Sequence, residues 1–344
     1  MTSVDHDNLS ARHPVGAKAG AATADGITVP EHFVPTPTTI SPQAQAFLRM
    51  PLMLNAPGLP SRLDDNEGWA TYRNAADGGI AFLLKPMEDK YPNDLTEHRL
   101  AHSTVYEIAL KAVPPAHADR AILYIHGGGF VAGGGIAAAY VGMQMAGLAQ
   151  TRVYSADYRM VPEVAFPAPL EDVIDAYRLM LERHRPEQIA FFGASAGANL
   201  AVAAVLKARD LGFPLPAACA VHSVPCDMAV HGDSQYANAY VDTIMKTHDQ
   251  RLLDYYAGGG DVLDPLMSPV HGDYSGEFPP VMITSGTRDL LLSGSVRLHR
   301  KMVRDKAEAH LHLFEAMGHV PFIGAPEEAE LYDLHVEFMH SRMA

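Results

Sequence analysis

From about residue 103 onward, short apolar runs alternate with longer segments whose apolar positions recur at helical spacing. Strands are expected at 104–110, 121–126, 152–157, 189–192, 217–223, 280–285 and 311–314. Helices are expected near 136–149, 169–183, 196–210, 293–306 and 326–339. Strand alternating with helix predicts an α/β domain built on a mostly parallel sheet. Residues 1 to about 40 are rich in Ala, Gly, Thr, Pro and His without sustained periodicity and read as loosely ordered. Segments 41–53 and 63–84 read as helix. One stretch, 228–262, breaks the alternation with polar, Tyr-containing helical sequence. It is expected to join residues 1–75 in a cap over a domain spanning 76–344. No internal repeat is visible.

Composition narrows the classes. The 344 residues, 48% hydrophobic and 19% charged, suit one large domain or a domain with a small cap. A formal charge of −14 argues against nucleic acid as a partner, because phosphate binding needs clustered cations. Cys219 and Cys226 make no disulfide framework and have no C-x-x-C partner. The 18 histidines show no H-E-x-x-H or comparable ligand spacing, so no metal is expected, and the serine chemistry read below needs no cofactor. There is no apolar stretch of about 18 residues and no basic-then-apolar leader, so no membrane association and a cytoplasmic location are expected.

The chemistry begins at Gly193-Ala194-Ser195-Ala196-Gly197, which lies between a predicted strand and a predicted helix. A strand that reverses into a helix through G-x-S-x-G exposes the central hydroxyl in a strained conformation. Gly193 and Gly197 fit there because a β-carbon would collide where strand and helix nearly touch. A serine is a poor nucleophile until an oriented base takes its proton. Asp289 follows strand 280–285, and His319 follows strand 311–314, in the order Ser, Asp, His that this architecture uses. His126-Gly127-Gly128-Gly129-Phe130 also follows an apolar strand. Its bare backbone could aim N–H groups at a developing oxyanion, and Gly128, Gly129 and Ala196 are the expected donors. His126 reads as a brace for this loop, His222 as a core histidine, and Asp227 as a turn or cap residue.

Together the segments HGGGFVAG (126–133), DYRMVPEVAFPAPLEDV (157–173), GASAGANLA (193–201), DPLMSPV (264–270), FPPVMITSGTRDLLL (278–292) and GHVPF (318–322) resemble the hormone-sensitive lipase family of α/β-hydrolases. The resemblance runs in collinear order over about residues 103–344. It implies an α/β-hydrolase fold with a helical cap, and a triad that falls on Ser195, Asp289 and His319. Residues 158–163 would be a structural support. Members usually carry Asp or Thr where Ala194 stands, and often a second carboxylate where Ser293 and Gly294 stand. The Asp289-Leu290-Leu291 sequence is closer to the branch that includes lactone hydrolases.

The expected activity is hydrolysis of short- to medium-chain esters or lactones through an acyl-serine. A non-catalytic small-molecule receptor on the same fold, and an acyltransferase or amidase using the same triad, are the alternatives. Phe130, Met228, Tyr236 and Tyr240 are expected at the pocket wall, and a homodimer is compatible with the fold.

Overall fold

The computed structural model describes residues 22–23, 26–27, 33–50, 57–229, 232–245 and 250–344. Most of the segment read as loosely ordered lies outside the described residues, as do 51–53 of the first expected helix. Within 1–36, Ala22–Thr23 pairs antiparallel with Gly26–Ile27. Residues 37–344 form one compact unit.

Its elements follow in order: helices α1 (Pro42–Arg49), α2 (Asn66–Leu84) and α3 (Met87–Lys90), then strands β1 (Asn93–Arg99), β2 (Thr104–Leu110) and β3 (Ala121–Ile125). Next come α4 (Ile136–Ala149), β4 (Arg152–Asp157), α5 (Ala168–Leu181), β5 (Ile189–Ala194), α6 (Ala196–Asp210) and β6 (Ala218–His222). The chain then forms α7 (Ser234–Ala237), α8 (Gln250–Ala257), β7 (Val281–Gly286), α9 (Leu292–Arg304), β8 (Ala309–Phe314) and α10 (Pro326–Arg342). The eight strands make one sheet in the order β8-β7-β6-β5-β3-β4-β2-β1. All neighbours from β8 to β4 are parallel; β2 runs antiparallel to β4, and β1 antiparallel to β2.

Alternation along the strands divides the core. Leu123 and Ile125 of β3 pack on the α5–α6 face, whereas Ile122 and Tyr124 meet α4 and α10 on the other. Covered on both faces, the inner strands carry near-continuous apolar sequence, which is why their positions were legible. β1 was not expected. Its sequence NDLTEHR is mostly exposed and sits at the sheet edge, where charge blocks further pairing and leaves no apolar pattern to read.

Chain order reverses between β3 and β5: β3 leads to β4 on one side, while β5 starts the walk to β8 on the other. A crevice opens outside the carboxyl ends of strands at such a switch point. Helices α2 and α8 are in contact, with the Trp69 ring 6.0 Å from the Tyr255 ring. The expected boundary at residue 75 falls inside α2, which continues unbroken to Leu84. No helix among the described residues is long and apolar enough to cross a membrane.

Candidate active site

Ser195 joins β5 to α6 with φ 55° and ψ −124°. A non-glycine residue holds such a backbone only when its surroundings force it, at a cost of about 1–3 kcal/mol. Here its N–H donates to His222 O at 2.9 Å, and its carbonyl accepts from Ala198 N and Asn199 N at 2.9 and 3.2 Å. A β-carbon at Gly193 would stand 2.2 Å from Gly197 O, and one at Gly197 would stand 2.0 Å from Ile125 O. The turn therefore tolerates glycine alone at both flanks.

The loops leaving β7 and β8 bring two more predicted residues to this point. His319 Nε2 lies 3.0 Å from Ser195 Oγ. On the other side of the ring, Nδ1 lies 3.5 Å from Asp289 Oδ1 and only 2.6 Å from Ser223 Oγ. Asp289 is fully buried, and it accepts from Ser285 Oγ at 2.5 Å and from Leu291 N at 2.8 Å. Burial alone would raise its pKa, but the His319 ring and the Ser223 and Ser285 hydroxyls outweigh burial and hold it at about 2. Burial opposes charge on His319 as well, yet the hydrogen bond and charge of Asp289, aided by the charge of Asp242, raise its pKa above 6.5. An ionised carboxylate thus faces an imidazole that binds a proton readily.

Facing Ser195 is the loop after β3. In register, β3 and β5 are direct neighbours, with Ile125 opposite Gly193, so the glycine loop and the serine turn leave the sheet side by side. The N–H groups of Gly128, Gly129 and Ala196 have no acceptor among the described residues. Ala196 opens α6, where the first N–H groups of a helix lack intrahelical partners. Behind the loop the His126 ring stacks on Tyr158, with centroids 4.2 Å apart, and Tyr158 Oη donates to His126 O at 2.8 Å. Burial depresses His126 to about 4, so it is neutral.

A cavity of about 490 Å³ opens over these groups. Its wall includes Ser195, His319 and Gly127 to Gly129, with Tyr72, Ala76 and Ile80 from α2 and Ile244 and Met245 from the insertion. It continues down the α4–α10 face past Tyr124, Val141, Phe192, Leu331 and Tyr332. No Lys, Arg, Asp or Glu borders it among the described residues.

The four expected pocket residues lie elsewhere. Phe130 is 2% exposed and stacks on Tyr256, with centroids 3.7 Å apart, as part of the core beneath α8. Met228, also buried, faces a separate small cavity beside Cys226 and Leu253. Tyr236 and Tyr240 are 68% and 90% exposed and point to solvent. Helix α2 lines the cavity in their place, through Tyr72, Ala76 and Ile80. His222 is the buried, satisfied histidine that its strand position implies, with Nδ1 2.9 Å from Thr284 Oγ1 and Nε2 3.2 Å from His319 O, and it also borders the cavity. Ser223, 2.6 Å from His319 Nδ1, belongs to no motif that the sequence displays. Both directly follow or end β6, the strand beside β5, and that placement was the available signal. Asp227 is buried and pairs with Arg297 at 2.6 Å, away from Ser195.

Comparison with known proteins adds descent to geometry. The profile of a family described as alpha/beta hydrolase fold matches residues 122–323. An acetyl-hydrolase of Streptomyces hygroscopicus is 34% identical over 63% of this chain and 73% of its own length. The crystal structure of an esterase, E25, superposes with a TM-score of 0.84 at 29% identity, covering 93% of this chain and all of that one. An esterase from the bacterial hormone-sensitive lipase family superposes at 0.73 with 29% identity, over 88% of this chain and 99% of that one. On sequence, fold and relatives alike, this chain belongs to the hormone-sensitive lipase family of the α/β-hydrolases.

Proposed function

We propose that the protein is a serine carboxylic-ester hydrolase whose substrates are short- to medium-chain esters or lactones. Ser195 Oγ attacks the ester carbonyl carbon while its proton passes to His319 Nε2. Asp289 holds the Nδ1–H tautomer of His319 and stabilises the imidazolium. The N–H groups of Gly128, Gly129 and Ala196 receive the oxyanion, each such donor being worth about 10²–10³ in rate. Collapse of the tetrahedral intermediate breaks the C–O bond, and His319 returns its proton to the leaving alkoxide. Water then attacks acyl-Ser195 with His319 again as base, and a second collapse releases the acid and restores the serine.

The observation that carries this reading is the 3.0 Å contact of His319 Nε2 with the strained Ser195 hydroxyl on the cavity wall. The uncharged wall favours neutral acyl and alcohol groups. The acetyl-hydrolase relative adds weight to short acyl chains. Hydrolysis of p-nitrophenyl esters from acetate to palmitate, and of a lactone, tests it with native protein and Ser195→Ala. The substitution is expected to cost at least about 10⁴-fold in kcat, with native rates highest at short to medium chains. Retained turnover in Ser195→Ala would overturn the mechanism, and a rate still climbing at palmitate would overturn the substrate class.

A further inference from the structure

Asp242 belongs to the insertion and is fully buried, but no step above uses it. Among the described residues, four backbone N–H groups donate to its carboxylate. Two come from its own segment, Ile244 at 2.9 Å and Met245 at 3.0 Å, both on Oδ1. The other two meet on Oδ2 and arrive from different loops: Leu290 N at 2.8 Å, next to Asp289, and His319 N at 3.0 Å. The same segment grips the acid loop again, since Asn238 Nδ2 donates to Asp289 O at 2.9 Å. Opposite, His222 Nε2 lies 3.2 Å from the carbonyl of His319, so the base is held at both its N–H and its C=O.

We infer that Asp242 is a positioning residue, whose one oxygen keeps the loops of Asp289 and His319 in register and whose charge faces the imidazolium formed on His319. This deepens the proposed mechanism and rests on it. The ionisable groups around His319 are Asp289 from the β7 loop, Asp242 from the insertion and His222 from β6. Burial depresses His222 to about 4, so it adds no charge near neutrality. Asparagine cannot replace Asp242 silently, because its NH₂ would face two N–H donors where an oxygen now accepts.

The test is the pH profile of ester hydrolysis in Asp242→Asn, with folding followed by circular dichroism. We expect kcat to fall about tenfold to a hundredfold, with KM within about twofold. The acid limb of kcat/KM should move to lower pH, because a negative charge beside His319 is gone. Wild-type kcat, or a loss of kcat that leaves the limb in place, would overturn the inference. A second variant, Gly318→Ala, keeps the charge and presses on the segment: its β-carbon would lie 2.8 Å from Thr243 Oγ1 and 3.2 Å from Asp242 Oδ1. It should lower kcat without moving the limb, and full activity in it counts against the inference. Failure of both variants to fold would make the segment mere scaffold and also end it. Activity surviving in Ser195→Ala would instead sink the mechanism itself, so the two failures are distinguishable.

Discussion

A histidine accepts a proton only when neutral, so the neighbours of His319 decide the pH at which a base is available. Asp289 and Asp242 raise its pKa above 6.5 against the effect of burial. A raised pKa keeps the ring protonated to higher pH, so the acid limb of kcat/KM should fall above 6.5 rather than below; a pH–rate profile with a non-ionisable ester checks this. Asp289→Asn should leave the fold intact and cost about 10⁴ in kcat, because the Nδ1–H tautomer and the imidazolium both lose their support. Ser195, Asp289 and His319 were legible because each follows a strand whose apolar run was plain. The pocket residues were not: whether an aromatic on a loop faces core or cavity depends on what packs over it. For Phe130 that is the Tyr256 ring of α8, which a one-dimensional pattern does not reveal.

Among the elements, α2 links the cavity wall to the glycine loop. Arg73 Nε donates to Val131 O at 2.9 Å, and its guanidinium pairs with both carboxylate oxygens of Glu163 and with Val161 O. One turn on, Asp77 Oδ1 accepts from Gly133 N at 2.6 Å. The segment read from resemblance as a structural support therefore has a partner, and that partner is the helix bearing Tyr72, Ala76 and Ile80. Arg73→Ala should loosen this wall and raise KM about 3–10-fold with a smaller change in kcat; steady-state kinetics across the ester series reads it. Helix 63–84 was visible as an element, but its service to the site was not. Its contacts join residues about 60 to 90 apart, and no local pattern reports them.

For the molecule as a unit, the sheet places the candidate site at the reversal between β3 and β5, and the burial of its histidines sets a pH limit on stability. His126, His222 and His335 are neutral in the folded core, pushed by burial to about 4, about 4 and about 3. The unfolded chain protonates them near 6.5. Below that value the unfolded state binds more protons, so stability is fully present above 6.5 and is lost as pH falls toward 4. Asp289 acts in the same direction at lower pH, its contribution disappearing as pH falls through about 2. His319 has the opposite sign: its contribution is present below 6.5 and is lost as pH rises through its raised value. Denaturant midpoints should therefore drop steeply between pH 6.5 and 4, and His335→Phe, which removes one of the three depressed groups, should flatten that slope.

In the proposed mechanism the acyl group passes covalently through Ser195. Rapid mixing with p-nitrophenyl butyrate, acid quench and peptide mass mapping test it most directly. The expected result is a burst of p-nitrophenol and one butyryl group per chain, on the peptide containing Ser195, with neither seen in Ser195→Ala. An adduct on another residue, or turnover by Ser195→Ala without any adduct, would contradict it.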